Sequence, residues 1–236
     1  MREVPDQAIR ACLSHFQAVD VQYITRKEFT YQWAVSGRSA LIRIPDYLAD
    51  SPGDIQASFC DMVCRRARGL DWSFPSDCLD HIRSDGYILS GRPVYLSRSR
   101  NLSRTTTGTC RDLSESVKRL LDAGLLSDTD IGNSYMSWTR RGALRRMGFC
   151  STMFRVVGIS STLDSDEIPD HVVDYVVYHE CLHLRQGYRP DHRSHDPQFR
   201  SWERSYPDWA VAERSLKAIA GGGPTRLSKR RDIRST

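Results

Sequence analysis

With 236 residues, 39% of them hydrophobic, the chain can bury a sizeable core but not one very large one, so one domain with extensions or two small units both remain open. There is no long apolar run, and the start Met1-Arg2-Glu3-Val4-Pro5-Asp6 is polar, which excludes a membrane span, reads as no secretory leader and predicts a cytoplasmic protein. The formal charge of +5 permits attraction to phosphates or acidic surfaces, while seven cysteines without a Cys-x-x-Cys pair argue against a disulfide framework or a zinc finger.

Residues 8–19 predict a helix. A hairpin follows at 29–35 and 39–44 around Ser36-Gly37-Arg38, with Phe29, Tyr31 and Trp33 alternating on one face and Pro45 ending the second strand. Ser51-Pro52-Gly53-Asp54 opens a helix to about Arg68, whose stripe of Ile55, Phe59, Met62, Val63 and Ala67 predicts core. Cys60 and Cys64 share a face of that helix, but nothing nearby in sequence completes a metal site. Residues 72–90 read as a connector or inserted helical piece, and 113–126 as an amphipathic helix ending near Gly124. Strand, strand, helix, then later strands and a helix, is the order of an α+β layer structure, with antiparallel pairing expected. The expected organisation is an N-terminal α+β region over 1–132, a core over 133–220 and a flexible basic tail over 221–236.

The sharpest feature lies in Val172-Val173-Asp174-Tyr175-Val176-Val177-Tyr178-His179-Glu180-Cys181-Leu182-His183. Pro169-Asp170 frame the start of a helix and Gly187 and Pro190 follow its end. A helix turns about 100° per residue, so His179 and His183 stack on one face and can hold a single Zn²⁺, with Glu180 beside them as the candidate general base. Burying two imidazoles and a carboxylate without a metal would leave several polar groups to be paired in low dielectric.

A catalytic zinc site wants a third protein ligand and an open position. His195 is the first candidate, because Asp196 can cap a new helix with Pro197 at its first position and so anchor the imidazole. His192, in the preceding loop, and Glu203, on the helical segment after Pro197, are the alternatives. Gln186 and Arg189 stand where a metzincin needs glycine and histidine, which excludes that class.

These residues, with Phe199 four positions after His195, then Trp202 and Tyr206-Pro207-Asp208, resemble the SprT-like and YgjP-like zincin metallopeptidases over 134–209. The resemblance implies a zincin-like core in which a small antiparallel sheet packs on helices. It also implies that His195 completes the ligand set and that paired strands before the metal helix hold substrate backbone. Here those strands are 147–151 and 154–160. Where many relatives carry Trp-Gly-Ser-Cys-Ser, this chain has Met147-Gly148-Phe149-Cys150-Ser151, with Trp138 upstream.

The expected function is zinc-dependent peptide hydrolysis, with Zn²⁺ acidifying a water and polarising the carbonyl while Glu180 moves the proton to the leaving amine. A second oxyanion donor is wanted, and Tyr178, Tyr188, Tyr206 and Arg204 are near in sequence without a spacing that selects one. The alternatives are a metal-binding nucleic-acid or protein interaction module without hydrolysis, and a zinc amidohydrolase on a small substrate. The expected partner is a protein or peptide substrate. DNA association is an idea carried by the resemblance, since some SprT-like relatives act on proteins crosslinked to DNA. Its candidates are three basic groups: Arg98, Arg100, Arg104 and Arg111; Arg140, Arg141, Arg145 and Arg146; and Arg226, Lys229, Arg230, Arg231 and Arg234.

Overall fold

The computed structural model describes residues 3–221; most of the expected basic tail, from residue 222 onward, lies outside them. The described residues form two compact units, one up to Arg100 and one from Asn101. Among the described residues, no helix is long and apolar enough to cross a membrane.

The first unit runs α1 (Asp6–Leu13), β1 (Ala18–Ile24), β2 (Gln32–Ser36), β3 (Ser39–Pro45), α2 (Gly53–Ala67), α3 (Ser76–Arg83) and α4 (Asp85–Arg98). The expected first helix is cut short at Leu13, and Ala18 and Val19 belong to a strand. Pairing of β1 along the whole of β3 outweighs the modest helix propensity of that stretch. The hairpin and α2 form where the turn residues and Pro52 place them. The segment 72–90 is largely helical, in α3 and α4. Cys12 of α1 meets Cys60 and Cys64 of α2 thiol to thiol, all three fully buried; the Cys60 contact and burial hold Cys12, and the Cys12 contact and burial hold Cys64, above the ordinary thiol range. Buried thiols of this kind are inert packing groups.

The second unit runs α5 (Leu113–Asp122), α6 (Asp128–Ile131), β4 (Tyr135–Trp138), β5 (Gly148–Ser151), β6 (Val156–Ile159), α7 (Asp170–Gln186), α8 (Pro197–Arg204) and α9 (Trp209–Ala220). Its sheet has the order β4-β6-β5, with β4 parallel and β5 antiparallel to β6. The first unit's sheet repeats that scheme as β1-β3-β2, again parallel then antiparallel. Both sheets are therefore mixed, which corrects the antiparallel expectation: each hairpin is antiparallel, but the strand before it joins the hairpin's second strand and runs parallel to it.

The likeness extends to a short 3₁₀ turn after each sheet and a helix entered through a proline, Pro52 for α2 and Pro169 for α7. Counting from those prolines, the positions of His179, Glu180 and His183 in α7 are held by Met62, Val63 and Arg66 in α2. In place of an imidazole, Arg66 lays its guanidinium over the rings of Tyr31, Trp33 and Trp72. Two units of one strand order thus carry very different chemistry at the same helical level.

Helix α7 is the axis of the second unit. It touches α5, α6, α8, α9, β5 and β6, and it buries Val172, Val173, Tyr175, Val176, Val177, Tyr178, Cys181, Leu182 and Leu184. The helix is enclosed on most sides, which locks its side-chain rotamers. Gly187 ends it at φ 73°, a conformation that costs a β-carbon-bearing residue energy.

Two ion pairs fix its rotation and height. Arg119 of α5 clasps Asp174 through Nε and Nη2 at 2.8 and 2.7 Å, and Arg185 clasps Asp130 of α6 at 2.9 and 2.8 Å while also donating to the carbonyl of Leu125. The Arg185 pair, with Ser127 beside it, lowers the Asp130 carboxyl to about 2 from 3.8. A carboxyl depressed on folding stabilises above its unfolded value, and that contribution is lost as pH falls through the folded value. Asp130→Asn is accordingly expected to cost about 2 kcal/mol at pH 7, read by urea unfolding, with the gap to the wild type closing below pH 3.8 towards about 2. A gap that persists at the acid end would mean that packing, not charge, is what the aspartate supplies.

Candidate metal centre

Three imidazoles converge beside α7. His179 and His183 come from adjacent turns of its exposed flank, and His195 is delivered by the chain just before α8. One ring nitrogen from each falls in a group whose members all lie within 4.8 Å of one another. His195 is held as its sequence implies: the Asp196 side chain accepts from the Phe199 amide at 2.8 Å, Pro197 opens α8, and Arg189 reaches Asp196 at 3.2 Å. Phe199, fully buried, backs the cluster, with its ring centroid 4.5 Å from that of His183 and 4.7 Å from that of His195.

The donor set fits a small divalent cation. The Nε2 atoms of His183 and His195 stand 3.2 Å apart; nitrogens about 2.0–2.1 Å from a tetrahedral zinc would be separated by roughly 3.3 Å. Burial, with the charges of His179 and His195 adding to it, pushes His183 down to about 3, and burial also lowers His195, so both offer neutral lone pairs. For His179 burial acts the same way, but the hydrogen bond to Glu203 and the nearby Glu180 charge outweigh it and raise the imidazole. His192 is exposed, outside the group, and lines a neighbouring basic recess with Arg193, Arg200 and Arg204.

Glu180 is 6% exposed, and burial pushes it up to about 7 against the opposing charges of His179 and Arg146. A cleft of about 360 Å³ opens over Glu180 and the three histidines, with Gly148, Phe149 and Cys150 of β5 as one wall and Arg146 beside them. Among the described residues, strand β5 lies at the edge of its sheet, paired with β6 alone. Gly148 has a specific reason to be glycine: a Cβ there would sit 2.5 Å from Oε1 of Glu180.

Of the side chains considered as oxyanion donors, Tyr178 gives its hydroxyl to the carbonyl of Trp202 at 2.7 Å and Tyr206 to that of His171 at 2.8 Å; both rings are buried. Arg204 lies over the ring of Trp209. The two tyrosines tie α7 to the chain that follows it. Arg146, placed by its sequence only within a basic group, is the cation that shares the cleft with Glu180, and its guanidinium rests over Phe149. Its signal in the sequence was the short interval to Gly148 at the strand start. Several other basic side chains are already engaged within the protein: Arg98 with Asp46, Arg111 with Asp170 and Arg140 with the carbonyl of Leu102.

Comparison with known proteins adds one positive finding. No curated protein and no solved structure matches the chain. The family model described as the YgjP-like metallopeptidase domain matches residues 127–219, from the start of α6 through the whole histidine cluster to α9. That stretch of the chain, with its His-Glu-x-x-His helix and the histidine that folds back onto it, is thus similar to the YgjP-like metallopeptidase domain.

Proposed function

We propose that this domain is a zinc-dependent endopeptidase in which His179, His183 and His195 hold the ion and Glu180 is the general base. The observation that carries the reading is the meeting of three imidazoles with one buried carboxylate on the floor of an open cleft. When bound, zinc would supply Lewis-acid polarisation of the scissile carbonyl and of the attacking water.

The chain's own residues do the rest. Glu180, turned away from bulk water, takes the proton of the attacking water and returns it to the leaving amine. The free edge of β5 offers backbone N–H and C=O groups to an extended peptide, which fits a polypeptide better than a compact small molecule. Arg146 places a positive charge at the same wall, where negative charge on the carbonyl oxygen grows as water adds to the carbonyl carbon. The proposed substrate is accordingly a protein or peptide, met in the cytoplasm.

Metal analysis with cleavage measured on the same samples tests the reading. Zinc at one per chain is expected for the wild type, falling close to zero in His183→Ala and His195→Ala but not in His192→Ala, with casein hydrolysis following the metal and returning when zinc is restored to a chelator-treated sample. A wild-type protein without metal would sink the proposal. A full complement of zinc without cleavage of any polypeptide would transfer the domain to non-hydrolytic binding or to amide hydrolysis of small molecules.

A further inference from the structure

Behind the histidine cluster lies a chain of polar groups that the hydrolytic reading does not use. Oε1 of Glu203, on α8, stands 2.8 Å from Nδ1 of His179. The hydroxyl of Tyr175, one turn earlier on α7, is 3.2 Å from that same oxygen and 3.1 Å from Oε1 of Glu213 on α9. Tyr175 is almost wholly buried, and Glu213 is paired at its outer side with Lys217 at 3.4 Å. Three helices therefore meet in one hydrogen-bonded line that ends on a ring of the cluster.

A neutral imidazole has one N–H and one lone pair, and a metal takes the lone pair. With Nδ1 facing a carboxylate, the proton of His179 is held there and Nε2 is left as the donor. Glu203 is thus set against the far nitrogen of a ligand, a place from which it orients the ring instead of binding an ion itself. Its charge also makes Nε2 a stronger donor, and partners of this kind raise ligand basicity and metal affinity. The phenol of Tyr175 has a single proton to share between two carboxylates, so it steadies Glu203 without neutralising it.

Resting on the metal-site reading above, the geometry points to Glu203 as a positioning residue for the metal centre, holding the tautomer and orientation of His179, with Tyr175 and Glu213 as its support.

The test compares the wild type with Glu203→Gln, Glu203→Ala and Tyr175→Phe in the full chain, by competition for Zn²⁺ against a chelator of known affinity and by the visible absorption of the Co²⁺-loaded protein. Glutamine keeps the size and an acceptor oxygen but removes the charge. Its zinc affinity is expected to fall about 10- to 100-fold, with a shifted Co²⁺ spectrum and an unchanged melting temperature of the metal-free protein; Glu203→Ala should lose more and Tyr175→Phe less. Wild-type affinity and spectrum in Glu203→Gln would overturn the assignment, as would an affinity loss that merely tracks a loss of stability in the metal-free protein. A wild-type protein that takes up neither metal would instead bring down the metal-site reading itself, and this inference with it.

Discussion

Glu180→Gln is expected to lower peptide hydrolysis about a thousandfold while leaving one zinc per chain in place. Removing a well-positioned general base typically costs between about a hundredfold and ten-thousandfold. Glu180 lies well above the bottom of that range because it is 6% exposed, which leaves little room for bulk water to stand in as the base. Glutamine matches its volume and is neutral, so the buried site loses a charge that burial already disfavours. The residue is not a member of the histidine group, so metal content should be indifferent to the change. Casein cleavage and zinc content on the same preparation decide the matter: cleavage within a few-fold of wild type would remove Glu180 from the mechanism, and loss of zinc would make it a ligand.

The second large effect is expected at a residue with no functional side chain. Gly148→Ala would place a methyl group 2.5 Å from Oε1, 2.7 Å from Cγ and 2.9 Å from Cδ of Glu180, closer than non-bonded atoms approach. Gly148 is paired with Ile159 on β6, so the strand is held on one side and the carboxylate is the softer partner. Its displacement should cost on the order of a hundredfold in hydrolysis, since small misplacements of a catalytic group have effects of that size. The penalty to folding should stay near the 1–3 kcal/mol typical of overpacking. Hydrolysis and thermal unfolding of Gly148→Ala, measured together, separate these: full activity would show that strand and helix move apart at little cost, and a general collapse of stability would make the glycine a folding requirement.

These two predictions rest on different kinds of legibility. Glu180 could be read from the sequence, because His-Glu-x-x-His on a helix fixes three side chains by 3.6-residue periodicity alone. His195 was legible for a local reason as well: Asp196 and Pro197 announce a helix start, and an imidazole next to a capped start has few places to go. Gly148 was not legible, since a glycine in a strand has many causes and the carboxylate it makes room for lies 32 residues further along the chain. The partnership of Glu203 with His179 was hidden for the same reason. Both carboxylates were visible as candidates, but which nitrogen Glu203 meets depends on how α8 docks on α7. Four-residue β4 gives too short an alternation to be read, and it forms because β6 offers its other edge.

By itself the sequence determined local geometry: the proline-led starts of α2 and α7, the turn of the first hairpin, and which turns of α7 carry imidazoles. Periodicity and capping act over a few residues, and those distances are fixed along the chain. Tertiary structure alone decided the mixed pairing of both sheets, the enclosure of α7, the engagement of Tyr178 and Tyr206 as ties between α7 and the chain that follows it, and the placing of Arg146, Gly148 and Glu203 around the cluster. The comparison of the two units makes the division plain. They share a strand order and a proline-led helix, yet at matching positions one has Met62, Val63 and Arg66 and the other His179, Glu180 and His183. Backbone topology is set by pairing and burial, which many side chains satisfy equally, whereas the chemistry is set by side chains that the topology does not require.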